Sequence, residues 1–312
     1  MQSTLKKVTP SAATPNAAHV CNDLDLNDAT LVRVLDLAAE MKRTPQKFAK
    51  AMSGRTLALL FEKPSLRTAV AFELAMRQMG GDSVMAGGTL GQREPVKDMA
   101  RILGRWVHVM AARVFAQSTV DELAQYSPVP VINALSDIYH PCQALADMQT
   151  LKERFGGWDG LKVAYVGDGN NVSNSLMITA ARLGAEVTIA SPKGYEPTPE
   201  MLAIARRFGQ VTVTHDPREA VAGVHAVYTD VWTSMGQEEE AAARLVAFQG
   251  YCVDDAMMAL ARPEAIFLHC LPAHRGDEVS DSVVESPQSA VFDQAENRLH
   301  TQKALIYALL GN

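Results

Sequence analysis

Ser65, Leu66, Arg67 and Thr68 follow an apolar run, residues 57–61, and lead straight into a helical pattern. A helix opening there aims unpaired backbone N–H groups and the positive end of its dipole at one point. Two hydroxyls and a guanidinium add donors around that point, so the predicted chemistry is the holding of a phosphate-like anion. Taken alone, the four residues also fit a capped helix with an arginine on its solvated face. Two later segments, His140-Pro141-Cys142-Gln143 and His269-Cys270-Leu271-Pro272, carry further reactive side chains. His140 fits a helix-capping position before Pro141. Cys270, at the end of an apolar run, has the placement of a covalent nucleophile.

The elements that hold these residues follow from periodicity. A first helix starts near Asn27 or Asp28, carries Leu31, Leu35 and Ala38 on one stripe, and ends before Pro45. Strands are expected at 56–61, 83–86, 108–115 and 128–134, with helices from Ser65 to the Gly80-Gly81 break, over 95–106, from Ser118, and over 141–155. Glycines and aspartate at 156–160 then break the chain. A second series places strands at 162–166, 186–190, 211–214, 226–229 and 266–269, with a helix opening at Thr198-Pro199 and a last amphipathic helix over 294–310. Repeated βα alternation in two blocks gives an α/β chain of two doubly wound, mainly parallel sheet domains, with the active site in the cleft between them. The expected limits are a disordered tail at 1–22, one domain at 23–150, a second at 151–293, and a C-terminal helix, 294–312, packing back on the first. Ligands bind beyond the carboxyl ends of such strands, where Arg67, His140, Asp168, Asp230 and Cys270 all fall.

Composition narrows the function. The chain has 312 residues and is 47% hydrophobic, enough for two well-buried cores. Its 29 Lys and Arg against 35 Asp and Glu give a net charge of -6, which offers no broad cationic surface for nucleic acid. The cysteines, at 21, 142, 252 and 270, show no C-x-x-C spacing, which suits a reducing, cytoplasmic compartment. Proline and the absence of helical spacing between His269 and His274 argue against a zinc site, so no metal is expected. No apolar stretch approaches the roughly 20 residues of a membrane span. Residues 1–22 hold Lys6 and Lys7 but no acid and no arginine, and read as a tail rather than a transit peptide. The Gly167-Asp168-Gly169 turn invites a dinucleotide fingerprint, but Val172 stands where its third glycine belongs, and the next strand ends without the ribose-binding acid.

The runs FEKPSLRT (61–68), LGQREPVKDMARIL (90–103), SDIYHPCQALADM (136–148), DVWTSMG (230–236), HCLPAHRG (269–276) and FDQAENRLHTQKALI (292–306) together resemble the aspartate/ornithine carbamoyltransferase family, and its ornithine branch in particular. The departures are Leu66, where the family most often has Thr, Ala69, where a second Arg is common, and Thr89, where Gln is frequent. The resemblance implies transfer of the carbamoyl group of carbamoyl phosphate to the δ-amine of L-ornithine, by direct attack and without metal or organic cofactor. It implies that Ser65, Leu66, Arg67, Thr68, Arg113, His140, Gln143 and Arg298 hold carbamoyl phosphate. Asn171, Asp230, Ser234 and Met235 then hold the amino-acid end of ornithine, and Cys270 and Leu271 its side-chain amine. Arg67, Arg113, His140 and Cys270 are the implied catalytic set, Cys270 binding and helping to deprotonate the δ-ammonium. No acyl-enzyme is needed, because phosphate is already a good leaving group. A homotrimer or a multiple of trimers is implied as well. A carbamoyltransferase for another amine, an NAD-dependent dehydrogenase of like fold and a non-catalytic carbamoyl phosphate sensor remain as alternatives.

Overall fold

The computed structural model describes residues 19–233 and 238–311. After α1 (Asp28–Arg43) the chain builds a first series: β1 (Thr56–Phe61), α2 (Leu66–Gln78), β2 (Asp82–Gly87), α3 (Val96–Leu103), β3 (Val109–Arg113), α4 (Gln117–Tyr126), β4 (Val131–Leu135) and α5 (Pro141–Phe155). The second series is β5 (Lys162–Val166), α6 (Asn171–Arg182), β6 (Glu186–Ala190), α7 (Pro199–Arg206), β7 (Val211–Thr214), α8 (Pro217–Val221) and β8 (Ala226–Thr229). It continues through α9 (Ala241–Ala247), α10 (Asp255–Met258), β9 (Ile266–His269), α11 (Asp281–Val284) and the long α12 (Val291–Leu310).

The strands form two parallel sheets, ordered β2-β1-β3-β4 and β7-β6-β5-β8-β9. Inner strands such as β3 are buried throughout, as parallel sheets covered by helices on both faces must be. Strand order reverses between β1 and β3 in the first sheet and between β5 and β8 in the second, and a crevice opens beyond the carboxyl ends at each reversal. Register fixes which residues meet there. Phe61 pairs with Arg113, so the turn after β1 lies beside that arginine, while Thr229 pairs with both Val166 and His269, bringing Asp168, Asp230 and Cys270 out side by side.

One apolar core is continuous through both halves, running from Leu57 and Ile132 through Met148 of α5 and Ile178 of α6 to Val163, and it includes Ile306 of α12. Gly156, at φ 83°, closes α5 in the left-handed conformation that glycine adopts without steric cost. Having left the second sheet, α12 packs against α1, α2 and α5.

Several boundaries differ from the sequence expectation. The expected tail reaches too far. Val20 bonds to β4 in both directions, donating to Val131 O at 2.8 Å and accepting from Asn133 N at 2.8 Å, so it bridges to the edge of the first sheet. Ser118 does not start α4. The helix opens at Gln117, whose N–H bonds to Asp137 Oδ1 at 2.7 Å, a partner 20 residues away that local pattern cannot reveal. α3 stops at Leu103, before Gly104, and α12 begins three residues earlier than expected, at Val291. Asn27 and Thr198 cap α1 and α7 through their side chains.

Candidate active site

The crevices of the two sheets open into one cavity of about 1290 Å³. On the first-sheet side it is lined by Ser65, Leu66, Arg67, Thr68, Arg113 and His140. Ser65 precedes α2 with extended backbone, and its hydroxyl bonds to Thr68 Oγ1 at 3.0 Å instead of capping the helix. The amides of the first turn are thus left unblocked by a side-chain cap, the state that an anion at a helix N-terminus completes.

Arg298 reaches this turn from α12, giving Thr68 Oγ1 a bond of 3.0 Å and Gln143 Oε1 one of 2.7 Å. Gln143 is 1% exposed and does not line the cavity. Its amide nitrogen is held by Asp147 Oδ1 at 2.8 Å, so both of its polar ends are engaged and it orients Arg298 from behind. Burial pushes the Arg113 guanidinium down to about 10, and the positive charges of Arg298 and Arg67 add to the shift. Burial, then the same Arg298 and Arg113, hold the His140 imidazole well below its usual range. Arg113 Nε, Arg298 Nε and His140 Nδ1 are all buried without a hydrogen-bond partner. Three cations crowded beside a neutral imidazole form a wall whose unfavourable self-repulsion an anion relieves.

The second-sheet side carries the opposite sign. Asp230 Oδ1 accepts from the Cys270 thiol at 2.9 Å and from Val231 N at 2.8 Å, and Oδ2 accepts from Asn170 Nδ2 at 2.8 Å. Burial first, and Asp230 next, push the Cys270 thiol well above its ordinary value. Cys270 stands here as a hydrogen-bond donor to Asp230. Beside it, Asp168 is paired with Arg244 at 3.0 Å, while burial still raises its carboxyl to about 6. Unlike Asp168, Asp230 forms no ion pair with an arginine among the described residues.

Leu271 lines the cavity in the left-handed region, φ 58°, a conformation costing a non-glycine residue about 1–3 kcal/mol. Its N–H is pinned to His269 Nδ1 at 2.8 Å. Nε2 of that ring must then carry the proton and donate to the buried Glu278 at 3.1 Å. Asp230, His269 and Cys270 bring possible metal ligands within 4.8 Å of one another. Both ring nitrogens of His269 are committed to these bonds, so the ring offers no lone pair to a cation. Asn171 lines the cavity and donates to Ser136 O at 2.6 Å. Ser234 and Met235 lie outside the described residues.

Sequence reasoning missed four members of this arrangement. Asn170 caps α6, accepting from Val172 and Ser173 N–H, and its position just before a helix was a readable signal. Asp147 stands one helical turn from Gln143, and its carboxyl, pushed up to about 7 by burial, also accepts from Gln294 at 2.6 Å. Glu278, and Arg244 that pairs with Asp168, carried no local signal.

Known proteins match nearly the whole chain. Residues 18–153 fit the description "Aspartate/ornithine carbamoyltransferase, carbamoyl-P binding domain", and 159–309 fit "Aspartate/ornithine carbamoyltransferase, Asp/Orn binding domain". The ornithine carbamoyltransferase of Acidothermus cellulolyticus is 52% identical over 300 residues, covering 94% of this chain and 96% of that protein. That of Thermus thermophilus is 55% identical over 283 residues, 90% of this chain and 92% of that protein. Among solved structures, the ornithine carbamoyltransferase of Pyrococcus furiosus superposes with a TM-score of 0.92 at 43% identity, covering 96% of this chain and 99% of that one. An acetylornithine transcarbamylase complexed with acetylcitrulline gives 0.85 at 33% identity, with 94% and 99% covered. With both halves matched in order, and relatives half identical over nearly its full length, the chain belongs to the aspartate/ornithine carbamoyltransferase family.

Proposed function

We propose that the chain is an ornithine carbamoyltransferase, joining carbamoyl phosphate and L-ornithine to give L-citrulline and phosphate. The observation that carries this reading is the polarity of the cavity, with Arg67, Arg113 and Arg298 on one side and Asp230 with Cys270 on the other. A dianion suits the first wall and an ammonium the second. Half-identical relatives named ornithine carbamoyltransferase support the same reading.

We assign the phosphate to the amides of the α2 turn, the Ser65 and Thr68 hydroxyls and Arg67, and the carbamoyl oxygen to Arg113, His140 and Arg298. As the δ-nitrogen attacks the carbonyl carbon, negative charge builds on that oxygen, and donors fixed in advance stabilise it more than they do the starting carbonyl. The tetrahedral intermediate collapses by breaking the bond from carbon to the phosphate oxygen, and the attacking nitrogen loses its proton. Asp230 is assigned to the ammonium side of ornithine, with the Cys270 thiol and Leu271 near the reacting amine. Acetylornithine has no α-ammonium to meet a carboxylate, so Asp230 favours the free amino acid.

Offering ornithine, acetylornithine, putrescine and aspartate separately, with products identified by mass, tests the reading. Citrulline from ornithine alone is the expected result, and carbamoylation of another amine instead would move the second-substrate assignments. Below a lysine-like pKa of about 10.4 the neutral amine fraction rises tenfold per pH unit, and kcat/KM for ornithine should rise with it between pH 6 and 8. His140, already neutral there, should add no inflection near 6.5. An inflection that vanishes in His140→Gln would show a titrating imidazole instead.

We also propose a homotrimer, or a multiple of one, working in the cytoplasm in arginine biosynthesis. The free cysteines suit a reducing compartment. Leu66, Val70 and Leu74 form an exposed apolar stripe on α2, which packs against the exposed edge strand β2 carrying Val84 and Met85. An unpaired apolar edge of this kind is a surface that a second copy covers. Met85→Lys should dissociate the assembly in sedimentation; a wild-type chain that sediments as a monomer would end this proposal.

A further inference from the structure

The loop at 136–140 is held by one face of α6. Asn171 donates to Ser136 O at 2.6 Å, Asn174 to Ile138 O at 3.1 Å, and Ser175 Oγ accepts from His140 N at 2.8 Å. These three side chains stand at the i, i+3 and i+4 positions that share a helix face. The Ser175 hydroxyl proton goes the other way, to Asp23 Oδ2 at 2.5 Å, and Thr179 Oγ1, a further turn along, donates to Asp23 Oδ1 at 3.2 Å. Asp23 is itself buried, 7% exposed. Arg182, at the end of the same helix, grips the carbonyl of Asp23 and that of Leu26.

An ionised carboxylate can only accept. Facing Asp23, the Ser175 hydroxyl must point its hydrogen toward the carboxylate, which turns a lone pair toward the His140 amide. A hydroxyl without that partner is free to rotate and leave a buried N–H unmet, at a cost of about 1–3 kcal/mol. Nothing in the reaction touches Asp23, which comes from the segment paired to β4, far from the cavity in sequence.

We propose that Asp23 is a positioning residue that fixes His140 through Ser175. The proposal rests on the reading of His140 as a group that holds the carbamoyl oxygen. Since misplacing a reacting group by about 1 Å can cost about 10²-fold, the loss falls on turnover and not on phosphate affinity.

The test is steady-state kinetics on the full chain for Asp23→Ala, Asp23→Asn and Ser175→Ala, each alone and combined with His140→Ala. Asp23→Ala and Ser175→Ala should each lower kcat roughly 10- to 100-fold, with KM for carbamoyl phosphate within about twofold. Asp23→Asn, which keeps an oxygen toward Ser175 and turns its amide toward the Thr179 hydroxyl, should restore most of the turnover. In the His140→Ala background, neither Asp23→Ala nor Ser175→Ala should cause further loss, because coupled residues are non-additive. Undiminished kcat in Ser175→Ala, or losses that multiply with His140→Ala, would overturn the proposal even if Asp23→Ala does not fold. Wild-type turnover in His140→Ala itself would instead overturn the reading of the site, and the proposal with it.

Discussion

Arg113→Ala is expected to lower kcat/KM for citrulline formation by about 10²–10³-fold while leaving the free protein as stable as before, or more so. The two halves of this result have one cause. Arg113 is 8% exposed, its Nε has no partner, and burial with the nearby Arg298 and Arg67 disfavours its charged form. A group whose folded pKa lies below its unfolded value, and which is nonetheless charged at neutral pH, opposes folding there. Removing it relieves the free protein and deprives the transition state of a donor to the carbonyl oxygen. Carbamoyl phosphate should accordingly raise the melting temperature of the wild type more than that of the variant, because a ligand stabilises only what it binds. Calorimetry with and without ligand, beside steady-state rates, makes the comparison. A variant with unimpaired kcat/KM would remove Arg113 from the site, and one that melts early in the free state would make it a structural member of β3.

Asp230→Asn is expected to lower kcat/KM for ornithine by about 10²–10³-fold and to leave binary carbamoyl phosphate binding within about twofold. Asp230 lies on the second-sheet side, and the phosphate donors lie on the other, so the loss should be one-sided. An equal loss of both substrates would count against that division. The same variant has a chemical signature. Asp230 is the second cause, after burial, of the raised Cys270 thiol, so removing its charge should lower that pKa and enlarge the thiolate fraction. Alkylation of Cys270 by iodoacetamide at pH 8, followed by peptide mass, should therefore become faster than in the wild type. An unchanged rate would mean that burial alone sets the thiol.

The strand and helix order was legible because buried parallel strands read as short apolar runs between glycine, proline and polar breaks, and nearly every run became a strand. The cradle at Ser65 was legible for a local reason, a strand leading into a helix start within four residues. Arg298 is the opposite case. It sits mid-helix, and only the return of α12 to α2 and α5 brings it to Thr68 and Gln143. The Cys270 contact is of the same kind, since the carboxylate that accepts from the thiol is 40 residues away. Glu278 and Asp23 act through side chains of other segments, the His269 ring and the Ser175 hydroxyl, and no spacing rule connects them to Leu271 or His140. What the sequence hides is contact made by tertiary packing.

The path of α12 has a consequence for the making of the protein. Residues 19–155 hold the whole first sheet and most of the phosphate donors, and the N-terminal part of a chain ordinarily folds first during synthesis. Here that part lacks the helix that packs on α1, α2 and α5, and it lacks Arg298. Those pieces come from residues 291–310, which follow both sheets in chain order. A nascent chain therefore carries both sheets before it carries the helix and guanidinium that complete the site, and a chain cut before residue 291 encodes both sheets and an unfinished site.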